Sequence, residues 1–132
     1  MVLDTSAVLA ILQDEPERRS FNEAIESVES RSLSVATLVE VSIVIEARYG
    51  AEGMRHLDRF LDRAAVRVVP VDLEQGQLAR QAFTRFGKGR HAAGLNFGDC
   101  FSYALALVLG EPLLCKGEDF PRTDVTVYRP PA

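Results

Sequence analysis

Four carboxylates recur at one kind of place in this sequence. Asp4 follows the apolar pair Val2-Leu3 directly, and Glu40 falls in the second turn after the run Leu33 to Ala36. Asp99 opens a helical pattern, and Asp119 follows Leu113-Leu114-Cys115 across Lys116-Gly117-Glu118. Each acid alone has an ordinary explanation. Asp4 and Asp99 read as helix N-caps, Glu40 as a charge near a helix N-terminus worth up to about 1 kcal/mol, and Glu118 with Asp119 as a solvated turn. Two details point further. Thr5 and Ser6 are available as caps, so Asp4 is not needed for that job. The neighbours of Glu40 are Leu38, Val39, Val41, Ile43, Val44 and Ile45; they predict a buried carboxylate, which is costly unless paired or metal-bound. Four carboxylates in one cleft repel one another and require protonation or cations. Hard oxygen ligands without His or Cys point to Mg²⁺ or Mn²⁺. Such a site suits phosphoryl transfer, with a metal-activated water as the attacking group and no Ser, Cys or His nucleophile.

The elements that must position these acids alternate. Val2-Leu3 reads as a very short strand, followed by a helix over Ala7 to Gln13 capped by Thr5-Ser6. Pro16 suits the first turn of a second helix running to about Ser30. Leu33 to Ala36 reads as a strand, and Thr37 caps a helix from Leu38 to Tyr49 that Gly50 ends. A further helix runs from Gly53 to Ala65, and Val66 to Val71 is a β-branched strand. Asp72 caps a helix that carries Leu78, Ala79, Ala82, Phe83 and Phe86. Gly87 to His91 is a flexible basic loop. Phe97, Phe101, Ala104, Leu105 and Val108 mark a helix stopped by Gly110. Pro112 to Cys115 and Val125 to Tyr128 complete the strands. This alternation predicts an α/β domain with a mainly parallel central sheet of about four or five strands, flanked by helices on both faces in three α/β/α layers. A two-residue first strand is tolerable only at the sheet centre. Ligands of such sheets bind outside the carboxyl ends of the strands, where the acids emerge.

Composition limits the alternatives. A chain of 132 residues, 47% hydrophobic and 26% charged, has the make-up of one ordinary globular domain, taken here as residues 1–132. It holds no Pro-, Gly- or Ser-rich linker and no repeat, and Pro130-Pro131 suggests a frayed tail. No apolar run is long enough to cross a bilayer. The opening Met1-Val2-Leu3-Asp4 lacks the basic region of a secretory signal, so a cytoplasmic location is expected. Cys100 and Cys115, without C-x-x-C spacing, suit a reducing compartment. The net charge of −4 argues against a nucleic-acid binder working by electrostatics alone. The four candidate acids account for that excess, because the other fifteen acids match the fifteen Lys plus Arg.

Four blocks of the sequence resemble the PIN-domain ribonucleases, and within them the VapC toxins of VapBC type II toxin–antitoxin pairs. They are Val2-Leu3-Asp4-Thr5-Ser6-Ala7, Thr37-Leu38-Val39-Glu40, Leu95 to Ala106 around Asp99, and Pro112 to Phe120. The resemblance spans nearly the whole chain. It implies a PIN domain and an Mg²⁺- or Mn²⁺-dependent endoribonuclease acting on RNA phosphodiesters. It also implies a homodimer and a cognate VapB-like antitoxin. By matching positions, Asp4 and Asp99 are the principal metal ligands, and Glu40 binds directly or through water. Asp119 completes the cluster, and Ser6 resembles a supporting hydroxyl beside the first acid. Many relatives carry an acid or amide around the turn that holds Lys116-Gly117 here, which leaves open whether Glu118 or Asp119 is the fourth acid. Lys116 is placed either to pair with the cluster or to contact phosphate.

Other residues divide between function and packing. Arg85, Lys88, Arg90 and His91 form the densest basic stretch and suit an RNA-backbone contact, while Phe83, Phe86, Phe101 and Tyr103 read as core. His56 and His91 have no metal-ligand spacing, and Cys100 reads as a packed thiol rather than a nucleophile. Apolar positions near Phe21 and around Val44 to Ala47 suggest a groove for an antitoxin helix or a dimer partner. Two other functions compete. A catalytically silent PIN-like binding module would bind metal without cleaving RNA. An aspartate-based phosphatase would need a second Asp two residues after Asp4, where this chain has Ser6. No nucleotide-binding glycine motif occurs.

Overall fold

The computed structural model describes residues 1–130; the tail expectation at Pro131 and the last two positions of the 1–132 domain lie outside the described residues. Four strands, β1 (Val2–Leu3), β2 (Arg31–Ser34), β3 (Val66–Val69) and β4 (Leu113–Leu114), pair in the order β3-β2-β1-β4, all parallel. The two-residue β1 is fully buried between β2 and β4, so both its edges are paired despite its length. Residues alternate faces along a strand. Val2 and Leu113 accordingly pack against helices α4 (Leu73–Phe86) and α5 (Phe97–Leu109). Leu3, Leu33 and Leu114 pack on the other face against α1 (Thr5–Leu12), α2 (Arg18–Ser27) and α3 (Val35–Arg63). The result is three α/β/α layers with all strand carboxyl ends along one edge. Among the described residues no helix is long and apolar enough to cross a membrane.

Several boundaries differ from the sequence expectation, each for a local reason. β2 ends at Ser34 rather than Ala36, because the Ser34 side chain accepts from the Ala36 N–H at 3.2 Å and starts α3. Thr37 is therefore not the cap. It is buried inside α3, with its hydroxyl 3.3 Å from that of Ser102 on α5. The two helices expected on either side of Gly50 are one run broken at that residue, where φ is 63°. β3 stops before Pro70, which has no N–H to donate. The expected last strand is reduced to one parallel bridge between Val127 and Leu113, and Pro130 limits its extension. The basic loop after α4 is pinned at its base rather than free. The Lys88 N–H donates to the Leu95 carbonyl at 2.8 Å, and the Leu95 N–H to the Phe86 carbonyl at 2.9 Å.

Candidate acidic site

Asp4 leaves β1 at its carboxyl end, where its backbone N–H donates to the Leu114 carbonyl at 3.0 Å. It is only 2% exposed. Contrary to the expectation that Thr5 or Ser6 would cap α1, Asp4 itself is the N-cap. Its Oδ2 accepts from the Ser6 N–H at 3.1 Å and from Ser6 Oγ at 2.6 Å. Oδ1 is buried and has no partner in the protein. A buried unsatisfied acceptor costs about 1–3 kcal/mol, and more when charged. The capping role thus occupies one oxygen and leaves the other free. Ser6 Oγ also accepts from the Lys116 N–H at 2.9 Å, so one hydroxyl ties the turn after β4 to the acid after β1.

Glu40 comes from α3 and accepts a hydrogen bond from the Thr5 hydroxyl. It is half-buried, not enclosed as its apolar neighbours suggested, because Val39 and Ile43 are 54% and 65% exposed. Its carboxyl lies directly on Gly98, where an added Cβ would stand 2.1 Å from Oε2. A side chain at 98 would displace the flexible end of Glu40 from this position.

Asp99 is the third residue of α5, not its cap. The cap is Asn96, whose Oδ1 accepts from the Asp99 N–H at 2.9 Å, while Asp99 Oδ2 accepts from the Asn96 N–H at 3.0 Å. Burial pushes the Asp99 carboxyl up to about 7. The hydrogen bond from the Asn96 backbone opposes that rise, and the charges of Asp4, Glu40 and Asp119 add to it. The fold therefore brings Asp4, Glu40 and Asp119 within electrostatic reach of Asp99. Asp119 is the loosest of them. It is exposed and precedes the 3₁₀ turn Phe120–Arg122 without making a side-chain cap bond. Glu118, also exposed, is felt at Cys115. Between them Gly117 has φ 93°, a conformation that side-chain-bearing residues rarely adopt. That accounts for a glycine at this position.

Other candidates fall outside the cluster. Lys116 neither pairs with the four acids nor stands free for phosphate, because its ammonium is held by Glu15 and Glu17. Burial raises the Cys100 thiol to about 11, with Asp99 adding to the shift, so it is no ready nucleophile. His91 accepts from the Ala93 N–H through Nδ1, and His56 stands exposed beside Glu52. Arg85 is paired with Asp124 at 3.2 Å, whereas Lys88 and Arg90 are exposed. Thr5 and Asn96 were not among the sequence candidates. The spacing Asn96-x-x-Asp99 is a legible capping pattern, but no local signal joins Thr5 to a residue 35 positions away.

Residues 1–125 match the PIN domain profile. The chain is 52% identical over 131 residues to the VapC ribonuclease Mb0640 of Mycobacterium bovis, covering 99% of this chain and 100% of that one. The chain belongs to the VapC ribonucleases of the PIN-domain family. Its PIN fold is shared with the crystal structure of Mycobacterium tuberculosis VapC20, a sarcin–ricin-loop-cleaving toxin, at a TM-score of 0.79 and 19% identity, covering 98% of each chain. It is shared also with VapBC2 from Rickettsia felis bound to a promoter DNA fragment, at a TM-score of 0.76 and 14% identity, covering 96% of this chain and 94% of that one.

The PIN-domain acids do not form a closed ligand cage here. Among the described residues no three His, Cys, Asp or Glu side chains are gathered as a metal-binding group. Glu40 is turned to Thr5 and Asp99 to its own cap. The donor chemistry nevertheless fits a hard divalent cation. A bound cation would offset both the partnerless Asp4 Oδ1 and the burial that disfavours the charged form of Asp99.

Proposed function

We propose that this protein is an Mg²⁺- or Mn²⁺-dependent endoribonuclease, the toxin of a type II toxin–antitoxin pair. The observation that carries the reading is Asp4 Oδ1, a buried oxygen without a protein partner on a carboxylate whose charge, with those of Glu40 and Asp119, is felt at Asp99. Asp4 and Asp99 would hold the cation, with Glu40 directly or through water and Asp119 at the outer side. A cation held there would supply positive charge for the phosphate oxygens and for an attacking water. The protein's own part is orientation. Ser6 fixes the Asp4 carboxylate, Asn96 fixes Asp99, and Thr5 with Gly98 sets Glu40. Asp99 must lose its proton to serve as a ligand, so cation binding strengthens as pH rises towards about 7.

The names of the similar proteins support this reading: a VapC ribonuclease, a sarcin–ricin-loop-cleaving toxin, and a VapBC pair bound to promoter DNA. A VapB-like antitoxin, a homodimer and a cytoplasmic location follow from it. Val35, Val39 and Ile43 form an exposed apolar strip at four-residue spacing on α3, which suits a protein partner. The strip lies beside the expected groove at Val44 to Ala47, while Phe21 is half-buried against the core. The test is cleavage of total RNA by purified protein with Mg²⁺, Mn²⁺ or EDTA, beside Asp99→Asn. Discrete metal-dependent cuts that the variant lacks are expected. Metal binding by folded, antitoxin-free protein without cleavage of any RNA would instead support a silent binding module.

A further inference from the structure

Lys116 touches the acidic site with its backbone and the α1–α2 connection with its side chain. Its N–H donates to Ser6 Oγ at 2.9 Å, and Ser6 Oγ donates to Asp4 Oδ2 at 2.6 Å. A hydroxyl has one proton and two acceptor lone pairs. With a lone pair engaged by Lys116, the Ser6 proton is aimed at Asp4 Oδ2, and Oδ1 is the carboxylate oxygen left without a partner. The Lys116 ammonium is bound elsewhere, by Glu15, 101 positions away in the chain, and by Glu17 at 3.3 Å. Among the described residues it is the one cation paired with either acid. Glu17 Oε2 is buried and accepts no hydrogen bond, so the ammonium is its sole charge partner there. Further along the turn, Gly117 has no side chain, and neither Glu118 nor Asp119 makes a side-chain hydrogen bond or ion pair among the described residues. The ion pairs of Lys116 are thus the polar side-chain anchor of this turn.

Resting on the metal-nuclease reading, we infer that Lys116 is a positioning residue of the acidic site: its anchorage on Glu15 and Glu17 holds its N–H on Ser6 and its ammonium away from Asp4, so that Asp4 Oδ1 stays aligned and open for a divalent cation. Without those two acids the ammonium would be free to turn towards the cation's place. Charge and geometry make opposite predictions for this lysine. By charge alone, an ammonium near a cation site weakens cation binding, so its removal tightens binding. By geometry, its removal loosens the turn and frees the Ser6 hydroxyl to rotate, so binding weakens.

The experiment titrates Mn²⁺ into metal-free protein and follows the free ion by electron paramagnetic resonance. It compares the parent, Lys116→Met and Lys116→Arg, each with Ser6 intact and with Ser6→Ala, and circular dichroism checks each fold. Lys116→Met should raise the Mn²⁺ Kd roughly tenfold, the size usual for groups that orient a ligand. Lys116→Arg retains a cation for both acids and should stay within about threefold of the parent. In the Ser6→Ala background Lys116→Met should add nothing, because the link through which it acts is gone. If Lys116→Met fails to fold, the triple variant that adds Glu15→Gln and Glu17→Gln leaves no unneutralised acid and takes its place. Unchanged or tighter binding by Lys116→Met overturns the inference, as does equal weakening with and without the Ser6 hydroxyl. A parent that cleaves RNA with Mn²⁺ while its Mn²⁺ affinity ignores Lys116 overturns the positioning role alone. Lys116-dependent Mn²⁺ binding by a parent that cleaves no RNA sustains that role and refutes the nuclease. A parent that binds no Mn²⁺ overturns both.

Discussion

Asp4 and Asp119 follow adjacent parallel strands, β1 and β4, yet the fold treats them oppositely. Asp4 is buried, caps a helix and is gripped by Ser6, leaving one oxygen aimed nowhere within the protein. Asp119 is exposed, precedes a 3₁₀ turn and makes no cap bond. One side of the cluster is thus preorganised by the sheet, and the other can adjust. A preorganised ligand contributes without losing side-chain freedom on binding, whereas an exposed one gives back part of its gain.

Asp4→Asn should produce the largest loss, on the order of 10³-fold in metal-dependent cleavage, because it removes the anionic ligand from the rigid side. Asn retains a capping oxygen, so thermal unfolding in EDTA should stay within about 1 kcal/mol of the parent. Asp4→Ala should lose both activity and the cap. A fully active Asp4→Asn protein would break the comparison at its strongest point.

Asp99→Asn comes next, with an expected loss of roughly 10²-fold, and it carries a pH signature. The Asp99 carboxyl is raised from 3.8 to about 7 by burial first and neighbouring acids second. Between those values the folded state therefore binds more protons than the unfolded one. This contribution to stability is fully present below about pH 4 and is lost as pH rises to about 7. Chemical denaturation of metal-free protein should show that decline, and Asp99→Asn should flatten it. An unchanged slope would remove Asp99 as its source.

Gly98→Ala tests whether close approach, rather than charge alone, assembles the cluster. The new Cβ would displace the flexible end of Glu40. A loss of roughly tenfold in activity with a retained fold is expected, the size usual for groups that orient a ligand. Asp119→Asn should be mildest, below about fivefold, since an exposed charge is worth little across solvent. If Glu118→Gln proves more costly than Asp119→Asn, the two acids of the turn exchange roles.

Much of this was legible before folding was considered. Alternating apolar runs locate each strand, with Asp4 and Asp119 beyond the carboxyl ends of β1 and β4 and with Glu40 and Asp99 on helices. What failed was burial. Val39 and Ile43 look like core beside Val41 and Ile45, but a helix hydrophobic on two faces gives no local sign of which one meets the sheet. Phe83 failed for the same reason, since its helical spacing matches a buried stripe yet it is 38% exposed. The capping of Asp4 failed because Thr5, Ser6 and Asp4 are all competent caps, and only the path of β1 beside β4 chooses among them.

The sequence by itself determined the α/β alternation, the four acids and their order, because period and residue type are local properties. Only the tertiary structure decided which oxygen of Asp4 is left without a partner, that Glu40 rests on Gly98, and that Lys116 is spent on Glu15 and Glu17. Those contacts join residues far apart in the chain. Their energies depend on distance and desolvation, which no stretch of sequence contains.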